Sequence, residues 1–526
     1  MDFCLTLEMQ DDLVDGIQDI SIALPSALQT VAEIGRLPPE MLAAIFAHLS
    51  KQELGSPGRG VSDFVQDLVS VTHVCRAWRQ VATTSPELWT EITMTNPEAV
   101  EAFLGRSGAV PLNVDLRLGH NSRIDGDILK AVIPHTYRFR QLSVFTRRGL
   151  VEIESMPLME PAPLLERLVI RHPLGNRTVL LFEDHAPRLR ELVLYSKGLW
   201  LQNQLGNLTS LHITLSHVGR TRSDFLSFFD MLRRCPVLEE MFISWGGWGT
   251  QLEPPQLPTV PLPHLRKLLL HSFCVGNIKS LLHAFDLKTN GIAIHLSDVY
   301  PSREEGVATD IQTMFPSDNS GQPSLAASTK LELIFHTRPR TIITHAIGPG
   351  FSMRIDLRVD NFTPLDDANY TFHDIFPSVK ELWVRGSSRV YLNLCGIKNF
   401  TALEKLVIVG RGSKMARSFR QALSPGPLGD IPCPLLSAID CYGDASEMRE
   451  IFLLLRTRSN AGSQLERMRV PSCFIPLPAD IASCVRDVGS LDIPPRTLHM
   501  YAMELPAICF AEREHRWWKP WKSRLT

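Results

Sequence analysis

The sequence lacks several features that would assign a protein to a familiar class. Its 526 residues include 10 cysteines but no CxxC pair, which indicates reduced thiols inside a cell and not a disulfide framework. The first residues have neither the basic start nor the apolar core of a secretory signal. Apolar runs stay far below the roughly 20 residues of a membrane-spanning helix. We therefore expect a cytoplasmic or nuclear protein with no membrane segment.

Neither sign of charge predominates in this chain. The 54 Lys and Arg residues nearly balance the 56 Asp and Glu residues, which leaves a formal net charge of -2. A molecule with so little net charge has no overall field that attracts nucleic acid or anionic lipid. We expect neither of them to be a partner.

Signatures of common catalytic sites are missing as well. The GK dipeptide of a P-loop, HExxH and GxSxG do not occur. Cys433 and Cys441 have no partners at the spacing of a zinc finger. We interpret the stretch from Gly410 through Gly412 to Lys414 as a turn after a strand, with a phosphate loop as the alternative. We expect no catalytic residue, metal or cofactor, and an enzyme of unrecognised type remains the alternative.

The first informative pattern lies just after Leu37. One set of apolar residues recurs at i, i+3, i+4 and i+7, the spacing of one face of a helix: Leu42, Ile45, Phe46 and Leu49. The residues ahead of it suit a helix entry and first turn, where a missing N–H is harmless and an anion is favoured: Pro38, Pro39 and Glu40. The pattern predicts an amphipathic helix with a well-defined start.

A second amphipathic pattern follows a stretch rich in Gly, Ser and Pro at residues 55–62. Its apolar positions again keep to one face at helical spacing: Leu68, Val71, Cys75, Trp78 and Val81. Three short helices of about 45 residues are too small for a large core, so apolar groups remain available to a partner. The alternative is a helical cap whose apolar face packs on the following domain.

The order LPxExLxxIFxxL, VxxxCRAWRxVA and PxLW, the last ending at Trp89, resembles the F-box. In that family the motif binds a Skp-type adaptor, which links the protein to a cullin scaffold. The resemblance implies that adaptor-binding positions are Leu37, Pro38, Pro39, Glu40, Leu42, Ile45, Phe46, Leu49, Val71, Cys75 and Trp78. The chain departs from the usual pattern between Leu49 and Leu68, where about a dozen residues replace a short link, so the helix packing there is open.

The long remainder repeats the pattern apolar-x-x-apolar-x-apolar. It occurs at Leu165/Leu168/Ile170, Leu189/Leu192/Leu194, Leu208/Leu211/Ile213, Leu238/Met241/Ile243, Leu265/Leu268/Leu270, Val379/Leu382/Val384, Leu403/Leu406/Ile408, Leu436/Ile439/Cys441 and Leu465/Met468/Val470. Helical patterns follow some of these, with N-caps expected at Ser223, Asn277 and Ser446. Segments at 292–296, 331–335 and 353–359 alternate as strands do. Units of a strand and a helix must stack on their neighbours, which predicts a solenoid with a parallel inner sheet.

This array resembles a leucine-rich repeat, although the Asn or Cys that normally follows the strand is absent, so we expect an irregular solenoid. Together with the F-box it looks like the large F-box-like group of mushroom-forming fungi. The predicted fold is α/β: an acidic lead-in (1–33), a three-helix F-box (34–95), a leucine-rich-repeat-like solenoid (96–475), and a C-terminal cap with a basic, aromatic tail (476–526). The alternative is two ordinary α/β domains that divide near residues 302–328.

In a strand of this type, the third, fifth and seventh positions face the open, concave side. Large aromatic residues and arginine are the usual anchors of protein contacts. The expected substrate-binding residues are Tyr195, Phe242, His271, Trp383, Arg385 and Tyr442. The alternative is that helices or loops cover these strands and the aromatic residues are ordinary core.

The tail contains Trp517, Trp518 and Trp521 among basic residues. We interpret it as a cap or a mobile end, with stacking on bases or anchoring at a lipid interface as the alternative.

The combination favours a non-catalytic substrate receptor of an SCF-type ubiquitin ligase. The F-box would bind a Skp-type adaptor and the repeats an unknown protein substrate. The alternative is a repeat scaffold whose F-box serves an assembly outside ubiquitin transfer.

Overall fold

The structure is a computed structural model of the full chain. It describes residues 37–51, 61–93, 96–119, 122–146, 156–215, 222–245, 258–287, 291–300, 314, 325–337, 340–358, 375–387, 394–411, 413–426, 429–491 and 503–509. The predicted lead-in at 1–33, the tail at 512–526, Gly412 and most of the possible boundary at 302–328 lie outside these residues. The chain forms two compact units, Met1–Asp115 and Leu116–Thr526.

The first unit contains the predicted helices. Its elements are α1 (Pro39–Lys51), α2 (Val61–Val74), α3 (Arg76–Thr84), a 3₁₀ turn (Pro86–Trp89), β1 (Glu91–Ile92) and α4 (Pro97–Arg106), followed by β2 (Leu112–Leu118), within which the two units meet in sequence. Strand β1 pairs with β2 in parallel, from Glu91 opposite Asn113. Helices α1, α2 and α3 pack against one another. The expectation of a small helical bundle is therefore confirmed.

Hydrogen bonds to Pro38 and Cys75 fix the starts of α1 and α3. The carbonyl of Pro38 accepts the first helical bonds of α1, from the N–H groups of Met41 (3.0 Å) and Leu42 (3.1 Å). Cys75 is the N-cap of α3, and its sulfur accepts a bond from the Trp78 N–H at 3.4 Å. Cys75 therefore helps to separate α2 from α3, because a capping side chain satisfies an N–H that has no helical partner.

Trp89 lies in the core of the first unit. Its side chain is fully buried, its indole N–H donates to the Ala82 carbonyl at 2.7 Å, and its ring meets the edge of Phe103 at 4.7 Å between centroids. The Arg106 guanidinium lies 4.3 Å from the centre of the same ring. A buried indole with a bonded N–H combines a large apolar area with a satisfied polar group, which favours a single packed arrangement.

The second unit is built on strands with helices between them. The strands are β3 (Phe139–Thr146), β4 (Arg167–Val179), β5 (Glu191–Leu201), β6 (Ser210–Leu215), β7 (Glu240–Trp245), β8 (Val260–Pro261), β9 (Lys267–His271), β10 (Phe285–Asp286), β11 (Ile292–Val299), β12 (Lys330–Thr337), β13 (Arg340–Gly348), β14 (Phe351–Arg358), β15 (Glu381–Ser387), β16 (Lys405–Arg411), β17 (Ala438–Tyr442), β18 (Leu465–Pro471) and β19 (Val485–Leu491). The helices are α5 (Ser122–Val132), α6 (Arg222–Arg233), α7 (Val275–Ala284), α8 (Ser413–Leu423), α9 (Ala445–Asn460) and α10 (Ala479–Ala482).

One large sheet, mostly parallel, runs through this unit. Strands β3, β4, β5, β6, β7, β9 and β11 pair in parallel in chain order. Strands β15 to β19 do the same. Between them the order reverses: β14 pairs with β11, β13 lies next, and β12 pairs with β15. Strand pairing therefore joins the strands that precede residues 302–328 and the strands that follow them in one sheet.

Strand β13 corrects the expectation of a wholly parallel sheet. It runs antiparallel to both of its neighbours, β12 and β14. Short loops join these three strands, and a short loop can connect only antiparallel neighbours, whereas a parallel pair needs a long crossover. The sequence analysis identified β12 and β14 and missed β13.

The two faces of the sheet differ as the alternation predicts. In β5, Leu192 and Leu194 are buried on one face, while Glu191, Val193 and Tyr195 lie on the other. We call these the apolar face and the polar face. Helix α6 contacts β5 and β8, and α8 packs against α9, so helices supply apolar partners for this unit. Every LxxLxL segment identified in the sequence forms a strand, and those predictions are confirmed.

The predicted N-caps are wrong by a few residues. Helix α6 begins at Arg222, so Ser223 lies inside it. Helix α7 has Cys274 at its N-cap, and Asn277 is helical. Helix α9 is capped by Asp444, which accepts bonds from the N–H groups of Ser446 and Glu447, while the Glu447 side chain accepts from the Asp444 N–H. This capping box starts the helix ahead of Ser446.

Candidate functional site

Helix α1 carries two apolar stripes, and only one of them faces the bundle. Leu42 and Phe46 are buried, and the Phe46 ring lies 5.1 Å from the Trp78 ring between centroids. Met41 is 53% exposed and Ile45 43% exposed. Since residues i and i+4 share a helical face, Met41 and Ile45 form an apolar strip on the surface of the first unit.

The other helices of the bundle add to the exposed apolar surface. Val74, the last residue of α2, is 58% exposed, and Val69 on the same helix is 39% exposed. Cys75 is exposed, and Trp78 is half-buried against Phe46. These exposed apolar side chains are the residues of the bundle to which a contact with another molecule can be assigned as a hypothesis.

The predicted adaptor-binding residues divide between the interior and the surface of the bundle. Those at the surface or partly exposed are Leu37, Pro38, Pro39, Glu40, Ile45, Cys75 and Trp78. Those in the interior are Leu42, Phe46 and Val71. The side chain of Leu49 lies outside the described part of the structure. Met41 and Val74 are exposed but were not among the predicted residues, because a hydrophobic stripe in a sequence gives no direct sign of whether the helix turns it inward or outward.

On the polar face of the sheet, side chains of opposite charge face each other at the N-terminal ends of neighbouring strands. Arg167 on β4 lies 3.1 Å from Glu191 on β5. Lys405 on β16 lies 2.8 Å from Glu381 on β15, in direct cross-strand register. Directly opposed charges of opposite sign stabilise neighbouring strands. They also help to set which residues share a row across the sheet.

Over β4 to β7 the polar face presents a row of rings. Tyr195 meets His212 edge-on at 5.2 Å, and His212 meets Phe242 at 4.1 Å between centroids. The Arg171 guanidinium, which is exposed, lies 4.2 Å from the centre of the Tyr195 ring. Two of the expected substrate-binding residues, Tyr195 and Phe242, are thus half-exposed and lie on either side of the buried His212 in one row. His271, also half-exposed, lies two strands on from β6, with Nδ1 3.4 Å from the Ser297 hydroxyl.

Over β15 to β17 the polar face is covered, and the expectation of an open surface is wrong there. Trp383 is 5% exposed, Tyr442 2% and Arg385 1%. Trp383 and Tyr442 form a cluster with Val407 and Met503, and Met503 belongs to residues 503–509, which we call the crossing segment. The alternative raised from the sequence, that another part of the chain covers these strands, holds for this half of the face.

Arg385 belongs to a buried ionic group in the reversed strands. Its Nη1 lies 3.2 Å from Glu332 Oε1, and the other Glu332 oxygen lies 2.7 Å from His345 Nδ1. Burial alone would raise the pKa of Glu332, but the hydrogen bond from His345 and the charges of His345 and Arg385 outweigh it and lower that pKa. The carboxylate therefore stays ionised in the interior, with Arg385 directed at it and not at solvent.

A second buried group lies beside the first. Asp356 on β14 accepts from Arg354, at 2.7 Å and 3.1 Å, and from His295 on β11 at 3.1 Å. Burial raises the pKa of Asp356, yet the bond from His295 and the Arg354 charge lower it well below its ordinary range. Burial lowers the pKa of His295, so its neutral ring donates to the carboxylate. These contacts tie β11 to β14.

Other chemical groups in the described residues have structural partners. The thiols of Cys433 and Cys441 are buried, and burial raises the pKa of Cys433 to about 12. Such thiols stay protonated at neutral pH and are poor nucleophiles. Within the described ranges, no three His, Cys, Asp or Glu side chains meet as ligands for a metal ion. No helix in that part of the chain is both long and apolar enough to cross a membrane.

Comparison with known proteins identifies the helical unit. Residues 34–95 match the family model described as F-box-like. The match spans α1, α2, α3, the 3₁₀ turn at Pro86–Trp89 and β1, and it includes the exposed strip of Met41 and Ile45. Residues 34–95 are therefore an F-box-like domain, as the sequence resemblance implied. No match was found among curated proteins.

Proposed function

We propose that this protein is a substrate receptor of an SCF-type ubiquitin ligase. Its F-box-like domain would bind a Skp-type adaptor, which connects it to a cullin, and the second unit would hold the protein to be modified. The proposal gives the chain no chemical step of its own. The observation that carries it is the F-box-like domain at residues 34–95, since such domains generally bind Skp-type adaptors.

The exposed apolar side chains of the bundle support adaptor binding. Met41, Ile45 and Val74 are between 43% and 58% exposed, although each has a side chain that gains free energy on burial. We assign the adaptor contact to these residues, together with the exposed Pro38 and Pro39 at the start of α1. The buried Leu42, Phe46 and Val71 then act indirectly, because they hold the helices that present the strip.

The second unit supports the role of a receptor. Its strands follow one another in the sheet in chain order over two long stretches, with helices between several of them, as in an irregular leucine-rich-repeat solenoid. We propose this repeat class for the second unit. The part of the polar face over β4 to β7 then offers a surface for a protein partner, with Tyr195 and Phe242 as half-exposed aromatic anchors.

Adaptor capture by the full-length protein tests the proposal. We expect Ile45→Glu and Met41→Glu to reduce capture of a purified Skp-type adaptor at least tenfold, because each places a charge in an apolar contact. Gln80→Glu is the matched control, since it adds the same charge at an exposed, polar position of α3. All three variants should retain the melting temperature of the parent protein, because the substituted side chains are exposed.

The presence of a cullin separates the two possible roles. Capture of both adaptor and cullin from an extract supports the ligase receptor, whereas capture of the adaptor alone supports a scaffold outside ubiquitin transfer. Undiminished adaptor binding by Ile45→Glu and Met41→Glu would show that the assigned strip is not the contact. No binding of the parent protein to any Skp-type adaptor tested would refute the proposed function.

A further inference from the structure

The crossing segment occupies the same face that the proposed function assigns to the substrate. Met503 is buried in the cluster formed by Trp383, Val407 and Tyr442. Cys509 is buried in a second cluster with Leu269. The first cluster lies on β15 to β17 and includes Leu491 at the end of β19, and the second lies on β9 and β11, so seven residues connect two distant parts of the sheet.

Between these clusters lie the reversed strands, and the segment passes across them. Ile347 on β13 packs against the first cluster, and the Ser352 hydroxyl on β14 hydrogen-bonds the Cys509 sulfur. Leu505 packs against both clusters and therefore lies midway along the path. The segment thus runs across the strands and does not extend the sheet as a further strand.

The crossing segment contacts the sheet through several of its side chains. Met503 and Cys509 are buried, Leu505 and Ile508 are half-buried, and Glu504, Pro506 and Ala507 are exposed. Its backbone closes a turn on itself, from the Cys509 N–H to the Pro506 carbonyl at 2.9 Å. A short segment that is held by a few side chains opens at a lower free energy than strands at the centre of a sheet.

The side chains that contact the crossing segment lie on the same polar face as the half-exposed aromatic residues. Phe242, in the half-exposed aromatic row, packs against the cluster that contains Cys509. The covered and the half-exposed parts of the polar face are therefore continuous at β7. A ligand that seats on Trp383 and Leu269 has to take the place of Met503 and Cys509, since two occupants cannot share one buried site.

We propose that residues 503–509 are a displaceable internal ligand of the polar face. On this view the segment keeps the face closed, and a substrate binds through a peptide that carries apolar side chains at the spacing of Met503, Leu505 and Cys509, with a turn before the last of them. The inference rests on the proposed function, because it names the substrate segment of that receptor surface. The apparent affinity for such a peptide falls with the fraction of molecules in which the face is closed.

A labelled peptide with the protein's own sequence is the probe. The peptide MYAMELPAICF, residues 500–510, is added to full-length protein, and binding is followed by fluorescence anisotropy. We expect Met503→Asp combined with Leu505→Asp to bind the peptide at least tenfold more tightly than the parent protein does. The control variant Glu504→Gln combined with Ala507→Ser changes exposed residues of the same segment and should bind like the parent. A peptide with Asp in place of its Met503 and Leu505 should not bind to any of them.

Hydrogen exchange on the same samples shows where the peptide binds and whether the variant is folded. Without peptide, β9, β15 and β16 of the Met503→Asp, Leu505→Asp variant should stay protected at close to the parent level, and peptide binding should raise their protection further. Equal affinity for the parent and this variant would overturn the proposal. So would a general loss of protection through β15 to β17 in the variant without peptide, because the segment would then be a permanent part of the core.

Adaptor capture, measured on the same variants, keeps this inference separate from the proposed function. The substitutions lie in the second unit, whereas the assigned adaptor contact lies in the first. Peptide exchange without adaptor binding would leave the internal ligand supported and the ligase role refuted. Adaptor binding without peptide exchange would give the opposite result.

Discussion

Glu332 provides a direct test of what stabilises the reversed strands. Its carboxylate is 1% exposed and lies between His345 Nδ1 at 2.7 Å and Arg385 Nη1 at 3.2 Å. The substitution Glu332→Gln keeps the shape of the side chain and removes its charge. The Arg385 guanidinium, also 1% exposed, then stays in the interior without this carboxylate.

The expected loss follows from the burial of the pair. Removing one member of a buried ion pair costs about 3 to 5 kcal/mol, and the amide of Gln retains part of the hydrogen bonding, so we expect about 3 kcal/mol. Glu404→Gln is the matched control. Glu404 pairs with Lys380 at 2.9 Å, but both side chains are at least 50% exposed, and such a pair contributes less than about 1 kcal/mol.

Hydrogen exchange measured by mass spectrometry, on peptides that cover β12, β13 and β15, gives the free energy of opening these strands. Urea unfolding of the full-length protein provides a second measurement. Glu332→Gln should lower the opening free energy of these strands far more than Glu404→Gln does. Equal effects of the two substitutions would show that the buried ionic group does not hold the strands together.

The remaining predictions concern the bundle, pH and a buried arginine. Phe46→Ala should lower the unfolding free energy of the first unit by about 3 to 5 kcal/mol and Ile45→Ala by less than about 1 kcal/mol, as urea unfolding can show, because only Phe46 is buried. Because the pKa values of Glu332 and Asp356 are lowered in the folded protein, the stability that they contribute is present above about pH 4 and is lost as the pH falls below it. Melting temperatures measured between pH 7 and pH 3 should decline less steeply in Glu332→Gln, and an unchanged slope would contradict this assignment. Arg458→Met should cost at least about 2 kcal/mol, because its guanidinium donates to three backbone carbonyls in the interior, and an unchanged melting temperature would be inconsistent with that role.

Much of the local structure could be read from the sequence. Leu192 and Leu194 lie two residues apart, and that period places them together on the apolar face of β5 whatever strand lies beside it. The apolar period of α1 likewise gave a helix that starts at the paired prolines. These features depend on backbone geometry over a few residues, so the sequence is sufficient to predict them.

The direction in which α1 faces required the tertiary structure. Met41 and Phe46 are both apolar and lie on different sides of the helix, and only packing against α2 and α3 decides that Phe46 is buried and Met41 exposed. The docking residues inferred from the sequence therefore mix the interior of the bundle with its surface. Periodicity shows that a stripe exists but not which neighbour covers it.

The sequence by itself determined the F-box-like helices, the strands that carry the LxxLxL pattern and the two-sided character of the sheet, because these follow from local spacing and residue type. The tertiary structure decided the reversed order of β12 to β14, the meeting of Glu332 with Arg385, and the cover over Trp383. Glu332 and Arg385 come from separate strands, and Met503 reaches Trp383 from far along the chain. Such contacts depend on which strands pair and on what packs over them, and local periodicity carries no information about either.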